Sequence, residues 1–278
     1  MNPPDPTHPP PLDLPPPPPG FHRLAWQGFS LAVPATWNMT FQRHESDTGA
    51  IALSDLHKLR LEIRWQNHKP RHVAPKYDRF LRRLARQKLE VTRASSEPLA
   101  HHVVSPKNSL LLLRGATRIY ELAWPGQARH LPEILASFRD FAAQPTWTWQ
   151  VYGVYALAPA NYRLKNASLL PGATRLELVR RSRQVTLGAW SMAARLLGKQ
   201  TLPEFAAAHV PLVRHNPHGL WRHTPPAAEF QTTRRRGFLL RPCRLTLKLL
   251  HDPAADAIRW TQTIFPASLA NPPLVTPL

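Results

Sequence analysis

Arginine is the residue type whose spacing in this sequence most clearly suggests chemistry, because a guanidinium group binds carboxylates and phosphates through paired hydrogen bonds. Four arginines are separated by intervals of three, four and seven residues: Arg79, Arg82, Arg83 and Arg86. In a helix this spacing places them along one face. The cluster predicts a surface for an anionic partner. The alternative is a solvated helix face in an arginine-rich protein.

Two further arginine clusters lie beside predicted turns, where guanidinium groups often contact anions. They are Arg180, Arg181 and Arg183, and Arg234, Arg235 and Arg236. On a predicted strand, Arg244 and Lys248 alternate with Leu245 and Leu247, so the cations share one face. Arg60, Arg64 and Arg118 follow the same alternation. If helices cover one face of a sheet, these cations form a basic open surface on the other, although plain solvated loops remain an alternative.

The overall charge is strongly positive, with 36 Lys and Arg against 17 Asp and Glu, a net charge of +19. A charge of this size favours a polyanionic partner: a nucleic acid, an anionic membrane surface or an acidic protein. The alternative is a genome of high GC content, whose codons favour arginine, proline and alanine. Both interpretations stay open at this point.

Histidines suggest a second, weaker kind of site. His215, His218 and His223 lie within nine residues, with the single cysteine, Cys243, further along the chain. A zinc site needs about four ligands, often at short paired spacings. The spacing here is irregular and is interrupted by Pro217 and Gly219, so solvated histidines are favoured over a metal. A hydrolase or nuclease-like enzyme using this loop is a third hypothesis.

The sequence has no recognisable catalytic or cofactor motif. It lacks a nucleophile elbow, a phosphate-binding P-loop and a dinucleotide fingerprint. Cys243 lies within a strand-like alternation, which favours a buried thiol over a reactive one. The sequence therefore predicts a non-enzymatic protein without a cofactor. It leaves the oligomeric state open.

A pattern that occurs twice, at 26–37 and 151–162, defines the elements that must position these residues. In both copies a Gly is followed six residues later by Pro, and that Pro three residues later by an aromatic residue. Such self-similarity predicts two copies of one structural unit. The predicted layout is a proline-rich tail at 1–20, a first unit at 21–142, a second at 147–265 and a tail at 266–278.

Hydrophobic periodicity predicts an α+β fold in which each unit is an antiparallel sheet covered by helices on one side. Leu59 to Trp65 alternates as a half-buried strand. A helix is predicted from Pro75 to about Leu89, and a closing helix from Leu131 to Phe141. The second unit has shorter predicted helices at 191–197 and 202–209, with a long His- and Pro-rich loop after them, and lacks the closing helix.

The sequence of the N-terminal tail and the length of the apolar runs indicate the cellular location of the protein. Residues 1–20 are mostly proline and predict an extended, disordered leader, with a ligand for an aromatic groove as the alternative. No apolar run approaches the roughly 20 residues that cross a bilayer. The chain begins without a signal-peptide pattern and has one cysteine, so we expect a cytoplasmic protein.

Three local patterns resemble the PsbP-like fold family: 28–37 (GFSLAVPATW), 49–53 (GAIAL) and 134–139 (ILASFR). That family includes an extrinsic photosystem II protein, a nuclear transport factor that binds the Ran GTPase, and many uncharacterised prokaryotic proteins. The likeness covers 21–142, and 147–265 more weakly, with Tyr162 in place of the Trp. It implies a tandem, divergent member of a binding and assembly fold with no invariant active site.

These observations together predict a binding or assembly factor that docks on an acidic partner through arginine-rich surfaces. The family resemblance favours an acidic protein or complex as that partner. The alternative is a nucleic-acid-binding protein that contacts the phosphate backbone.

Overall fold

A computed structural model describes residues 14–45, 47–87, 89–96, 98–105, 107–170, 172–216, 218–236, 241–266 and 276–277. The chain divides into two compact units between Trp147 and Thr148. Most of both predicted tails, residues 1–13 and 267–275, lies outside the described residues.

The first unit contains ten strands and two helices in its described part. In chain order they are β1 (Phe21–Trp26), β2 (Phe29–Pro34), β3 (Asn38–His44), β4 (Thr48–Ser54), β5 (Leu59–Asn67), α1 (Pro70–Arg86), β6 (Glu90–Ser95), β7 (Leu99–Val104), β8 (Asn108–Arg114), β9 (Arg118–Pro125), α2 (Leu131–Ser137) and β10 (Arg139–Asp140). An antiparallel sheet has the order β3-β4-β5-β9-β8-β7-β6, and a smaller group pairs as β10-β2-β1.

Both faces of the first seven-stranded sheet are covered over part of their area. On one face α1 buries Val73, Tyr77 and Leu84 against strand residues such as Leu112 and Ile119. On the other, Phe29 of the β1–β2 hairpin packs on the rings of Trp65, Tyr120 and Phe138, with centroids 5.3, 5.6 and 6.3 Å away. Along β5 the buried side chains of Leu61, Ile63 and Trp65 alternate with half-buried Glu62 and exposed Arg64, while Leu59 at the start of the strand is exposed.

The second unit has ten strands and three short helices in its described part. They are β11 (Thr146–Val151), β12 (Val154–Pro159), β13 (Arg163–Leu170), β14 (Ala173–Arg180), β15 (Arg183–Ser191), α3 (Ala193–Leu197), α4 (Leu202–His209), α5 (Pro211–Arg214), β16 (Leu220–Thr224), β17 (Ala227–Arg236), β18 (Arg241–Asp252), β19 (Ala257–Pro266) and β20 (Thr276–Pro277). Its larger sheet has the order β13-β14-β15-β19-β18-β17-β16.

The two seven-stranded sheets have the same strand order. In each sheet the first three strands lie side by side in chain order, and the third pairs with the last of the seven strands. From there the four strands that follow the helical segment lie in reverse chain order, so that the first of them forms the opposite edge. The repeated sequence pattern marks the hairpin before each sheet. Its turn residues adopt positive φ in both copies, Gln27 and Gly28 at 45° and 91°, Tyr152 and Gly153 at 41° and 80°. A tight two-residue hairpin turn needs that conformation, which explains the glycine in both copies.

The expected α+β class, with one sheet per unit covered by helices, is wrong. Strands hold 56% of the described residues and helices only 17%. Each unit adds a second, smaller group of strands to its seven-stranded sheet, and the helices cover only part of it. The sequence did not predict β6 and β16, because they are short, polar edge strands without a clear apolar alternation.

Two predicted helix boundaries are also corrected. The first helix begins at Pro70 rather than at Pro75, because extended Lys69 precedes it and proline fits the first helical position. The closing helix ends at Ser137 rather than at Phe141. Phe138 is extended, with φ −65° and ψ 131°, and the next two residues form β10 beside β2.

None of the helices among the described residues is long and apolar enough to cross a membrane.

Histidine burial makes the stability of the chain dependent on pH. Burial lowers the pKa of His22, His68 and His101 below the usual value of about 6.5. As the pH falls below that value, the unfolded chain takes up protons that the folded chain does not, and the free energy of unfolding decreases. We expect the melting temperature to be lower at pH 5.5 than at pH 7.5. The substitution His101→Gln should weaken this dependence. A melting temperature that rises on acidification over this range would contradict the assignment.

Candidate functional site

The rotation of α1 is set by its buried face, and this decides which side chains reach solvent. Tyr77 donates a hydrogen bond to the carbonyl oxygen of Leu112 at 3.0 Å, and its hydroxyl lies 2.9 Å from Nδ1 of His101. Burial raises the pKa of Tyr77 to about 12. Phe80 and Leu81 are half-buried on the same side. The opposite side of the helix therefore points away from the sheet.

This outer side carries six exposed cations, which we call the basic face of α1. Its members are Arg71, Lys76, Arg79, Arg82, Arg83 and Arg86. The helix contains one carboxylate, Asp78, and no acidic residue in its first turn. Arg83 and Arg86 lie in the last turn, where the partial negative charge of the helix end favours cations. All four arginines predicted from spacing lie on this face.

The cations of the basic face are not neutralised by neighbouring carboxylates. Within the described residues, none of the six forms a salt bridge. Arg82 Nε donates to the carbonyl oxygen of Asp78 in its own helix at 3.4 Å, and the Arg83 guanidinium lies 4.4 Å from the centre of the Phe80 ring. Like charges three or four residues apart on a helix repel one another by a few tenths of a kcal/mol per pair. An anionic partner would remove that repulsion.

One half-buried acid lies within electrostatic range of Arg83 on the basic face. Burial raises the pKa of Glu121 on β9, and the nearby cations Arg64 and Arg83 oppose that rise. Arg64 is already paired with Glu62 through two hydrogen bonds of 2.9 Å. Arg83 is thus the member of the basic face that interacts electrostatically with Glu121.

The arginines predicted to make a basic open sheet face in the first unit do not form one. Arg60 is bound to Asp55, and Arg64 to Glu62. Arg118 is only 4% exposed. It donates from Nε to Asn67 Oδ1 at 2.6 Å, and from a terminal nitrogen to the carbonyl oxygen of Gln27. Two of these cations are neutralised and the third is structural.

The predicted cations of the second unit are dispersed. Arg180, Arg181 and Arg183 surround the β14–β15 turn, but of the three only Arg181 is exposed, and the other two are half-buried. The backbones of Arg234, Arg235 and Arg236 lie in β17, while their side chains fall outside the described part of the structure. Arg244 and Lys248 are exposed on β18, as the alternation predicts, and Lys248 lies opposite Glu229.

The histidines do not assemble a metal site. His215 follows α5, His218 is exposed, and His223 lies on β16. Over the described ranges, no group of three or more His, Cys, Asp or Glu could hold a metal ion. The long loop expected here contains α5 and β16 instead: His215 and His218 lie between these two elements, and His223 lies on β16.

Sequence reasoning missed part of the basic face. Arg71 was left out because the helix was expected to start at Pro75, whereas Pro70 opens it. The missed signal is the Lys69-Pro70 step, since a proline at the first helical position needs no backbone donor. Lys76 lies within the predicted helix but was not assigned to the face.

No protein-family model matches the chain, and no curated protein sequence matches it. The resemblance to the PsbP-like family therefore stays a prediction.

Proposed function

We propose that this protein is a non-enzymatic binding factor that docks on an acidic protein through the basic face of α1. The supporting observation is the set of six exposed cations on one helix, none of them in a salt bridge within the described residues. The resemblance of residues 21–142 to the PsbP-like family agrees with a binding role. A reducing, cytoplasmic location fits the single cysteine.

Geometry favours a protein over a single-stranded nucleic acid. Single-strand binding relies on exposed aromatic rings on which bases stack. The aromatic residues of α1, Tyr77 and Phe80, face the sheet rather than solvent. A partner helix or loop rich in Glu and Asp needs only the guanidinium groups, each exposed pair contributing about 0.2–1 kcal/mol.

Duplex nucleic acid is the second candidate, favoured by the same guanidinium groups and the net charge of +19. Arginine forks fit phosphate oxygens as well as carboxylates. This contact would be independent of sequence and steeply dependent on salt.

Charge reversal of the basic face tests the proposal. The variant Arg79→Glu/Arg82→Glu/Arg83→Glu/Arg86→Glu should bind polyglutamate about tenfold or more weakly than the wild type, since four exposed pairs become repulsive. The variant should still melt cooperatively as a folded protein, because each of the four exposed substitutions changes stability by only about 0.5 kcal/mol, or about 2 kcal/mol together. Fluorescence anisotropy of labelled polyglutamate at several salt concentrations measures the affinity.

A matched control variant distinguishes the effect of the basic face on binding from the effect of the net charge. Lys107→Glu/Arg129→Glu/Arg195→Glu/Lys199→Glu makes the same change in net charge at four exposed positions outside α1. It should retain most of the affinity. If both variants lose affinity equally, or neither does, the basic face is not the docking surface.

The second candidate is tested by measuring the affinity of the protein for a short DNA duplex that carries the same charge as the polyglutamate. If the duplex binds more tightly than polyglutamate, the nucleic-acid alternative replaces the proposal. The α1 variant should then also reduce the slope of log affinity against log salt by about 3–4.

A further inference from the structure

The second unit contains a cavity of about 710 Å³, bounded by α4, α5 and the loop after them on one side and by the seven-stranded sheet on the other. Pockets for small molecules usually measure about 300–1,000 Å³. The lining comes from β13, β14, β15, β18 and β19, together with the residues from His209 to Asn216.

Short helices create this space. In α4, Thr201 caps the first turn and Glu204 closes a reciprocal capping box. Phe205 and Val213 then pack with Phe230 and Leu247 of the neighbouring strands. Because α4 and α5 end after eight and four residues, they leave the β13–β14 side of the same sheet face uncovered.

The floor of the cavity is apolar and aromatic. Trp190 and Trp260 stack with ring centroids 5.2 Å apart and planes at 24°. Leu245 and Ile264 continue the floor. The Trp260 ring lies over Gly188 of the neighbouring strand, where an added Cβ would be only 2.1 Å from the indole. The absence of a side chain at Gly188 therefore lets the indole lie against the strand.

The charge of the lining has one sign. Arg175 is exposed on β14, His209 and His215 lie on the helical side, and none of the lining residues is an Asp or Glu. Arg175 forms no salt bridge within the described residues. Glu177, two residues further along the strand, is held by Lys165 at 2.8 Å. Arg175 is thus left with its charge available at the cavity.

We infer that this cavity binds a small amphipathic anion, a carboxylate or sulfonate on an aromatic or aliphatic body. The anionic group contacts Arg175, with ring N–H groups of His209 and His215 as further donors. The apolar body lies on Trp190 and Trp260. This site is separate from the basic face of α1, which binds through exposed charge and has no enclosed apolar floor.

Two probes with the same apolar body test the role of charge. The first is 8-anilino-1-naphthalenesulfonate, and the second is N-phenyl-1-naphthylamine, which lacks the sulfonate. With the full chain we expect one molecule of the sulfonate to bind, with energy transfer from tryptophan. The sulfonate should bind about tenfold more tightly than the neutral amine, and dodecanoate should displace it.

Variants locate the probe. Arg175→Gln should weaken sulfonate binding about tenfold and leave the neutral amine within about twofold. Arg163→Gln removes an exposed cation on β13 that does not line the cavity, and it should change neither affinity. Ser168→Trp places a bulky ring in the cavity from the edge strand and should abolish binding of both probes.

Three results would overturn the inference. They are equal affinity of the two probes for the wild type, unchanged sulfonate binding in Arg175→Gln, and retained binding in Ser168→Trp with a wild-type melting temperature. Arg175→Gln alters an exposed side chain, so its result does not depend on the folding of the more disruptive variant.

Discussion

Gly49→Ala is expected to lower the stability of the first unit by about 3 kcal/mol or more. Gly49 pairs directly with Trp65 across β4 and β5, and the indole lies over the glycine. A Cβ at Gly49 would be 2.0 Å from Cζ2 of Trp65. The indole is 2% exposed and packs beside Phe29, so moving it aside would disturb that packing.

Hydrogen exchange of the β4 and β5 amides measures this loss locally, which suits a chain of two units. The control is a double-mutant cycle with Trp65→Leu, whose smaller side chain leaves room for the new methyl group. Each single substitution should destabilise strongly, and the double variant should lose less than their sum. Additive losses would mean that the two side chains do not collide.

Asp140→Ala is expected to cost the first unit about 3–5 kcal/mol, because it removes three hydrogen bonds to one carboxylate. Tyr120 donates its hydroxyl to Oδ1 at 2.7 Å. The backbone N–H groups of Ala116 and Ala142 donate to Oδ2 and Oδ1 at 2.9 and 3.0 Å. Asp140 thereby joins the β8–β9 turn, the core phenol and the chain after β10.

Two milder variants calibrate this effect. Tyr120→Phe removes one of the three bonds and should cost less than Asp140→Ala. Asp140→Asn keeps one acceptor oxygen but turns the other into a donor that faces the Ala116 N–H, so its cost should lie between the two. Thermal melting with hydrogen exchange of the β8–β9 turn ranks the three. If Asp140→Ala melts at the wild-type temperature, the carboxylate does not hold these segments.

Local patterns predicted much of what positions the basic face. The apolar spacing of Tyr77, Phe80, Leu81 and Leu84 predicted a helix with one buried side, and the arginines lie opposite. Alternation correctly predicted that Leu61, Ile63 and Trp65 of β5 are buried, but Leu59 on the same predicted face is 38% exposed. These features depend on a single periodicity, which the sequence displays directly.

Features that depend on contacts between distant segments could not be predicted. Asp140 was placed in a helix, yet its partners are Tyr120 on β9 and Ala116 in the β8–β9 turn, 20 and 24 residues earlier. Arg118 was taken for a surface cation although its partners Asn67 and Gln27 lie 51 and 91 residues away. The cavity of the second unit likewise depends on where two short helices end relative to five strands.

The repeated sequence pattern, although short, correctly marked a structural feature that both units share. Gly28 and Gly153 themselves have φ of 91° and 80°, a conformation that favours glycine, and each forms the tight turn of the hairpin that precedes the larger sheet. The shared strand order of the two larger sheets indicates that one structural plan is used twice. The two proposed sites then distinguish the copies, since α1 has an exposed basic side while α4 and α5 leave a cavity.

Arginine footprinting tests the central claim most directly. Phenylglyoxal modifies accessible guanidinium groups, and mass spectrometry measures the rate at each position with and without polyglutamate. The account predicts that polyglutamate slows modification of Arg79, Arg82, Arg83 and Arg86 while Arg195 and Arg222 react as before. Equal protection across all exposed arginines, or protection confined to the second unit, would contradict it.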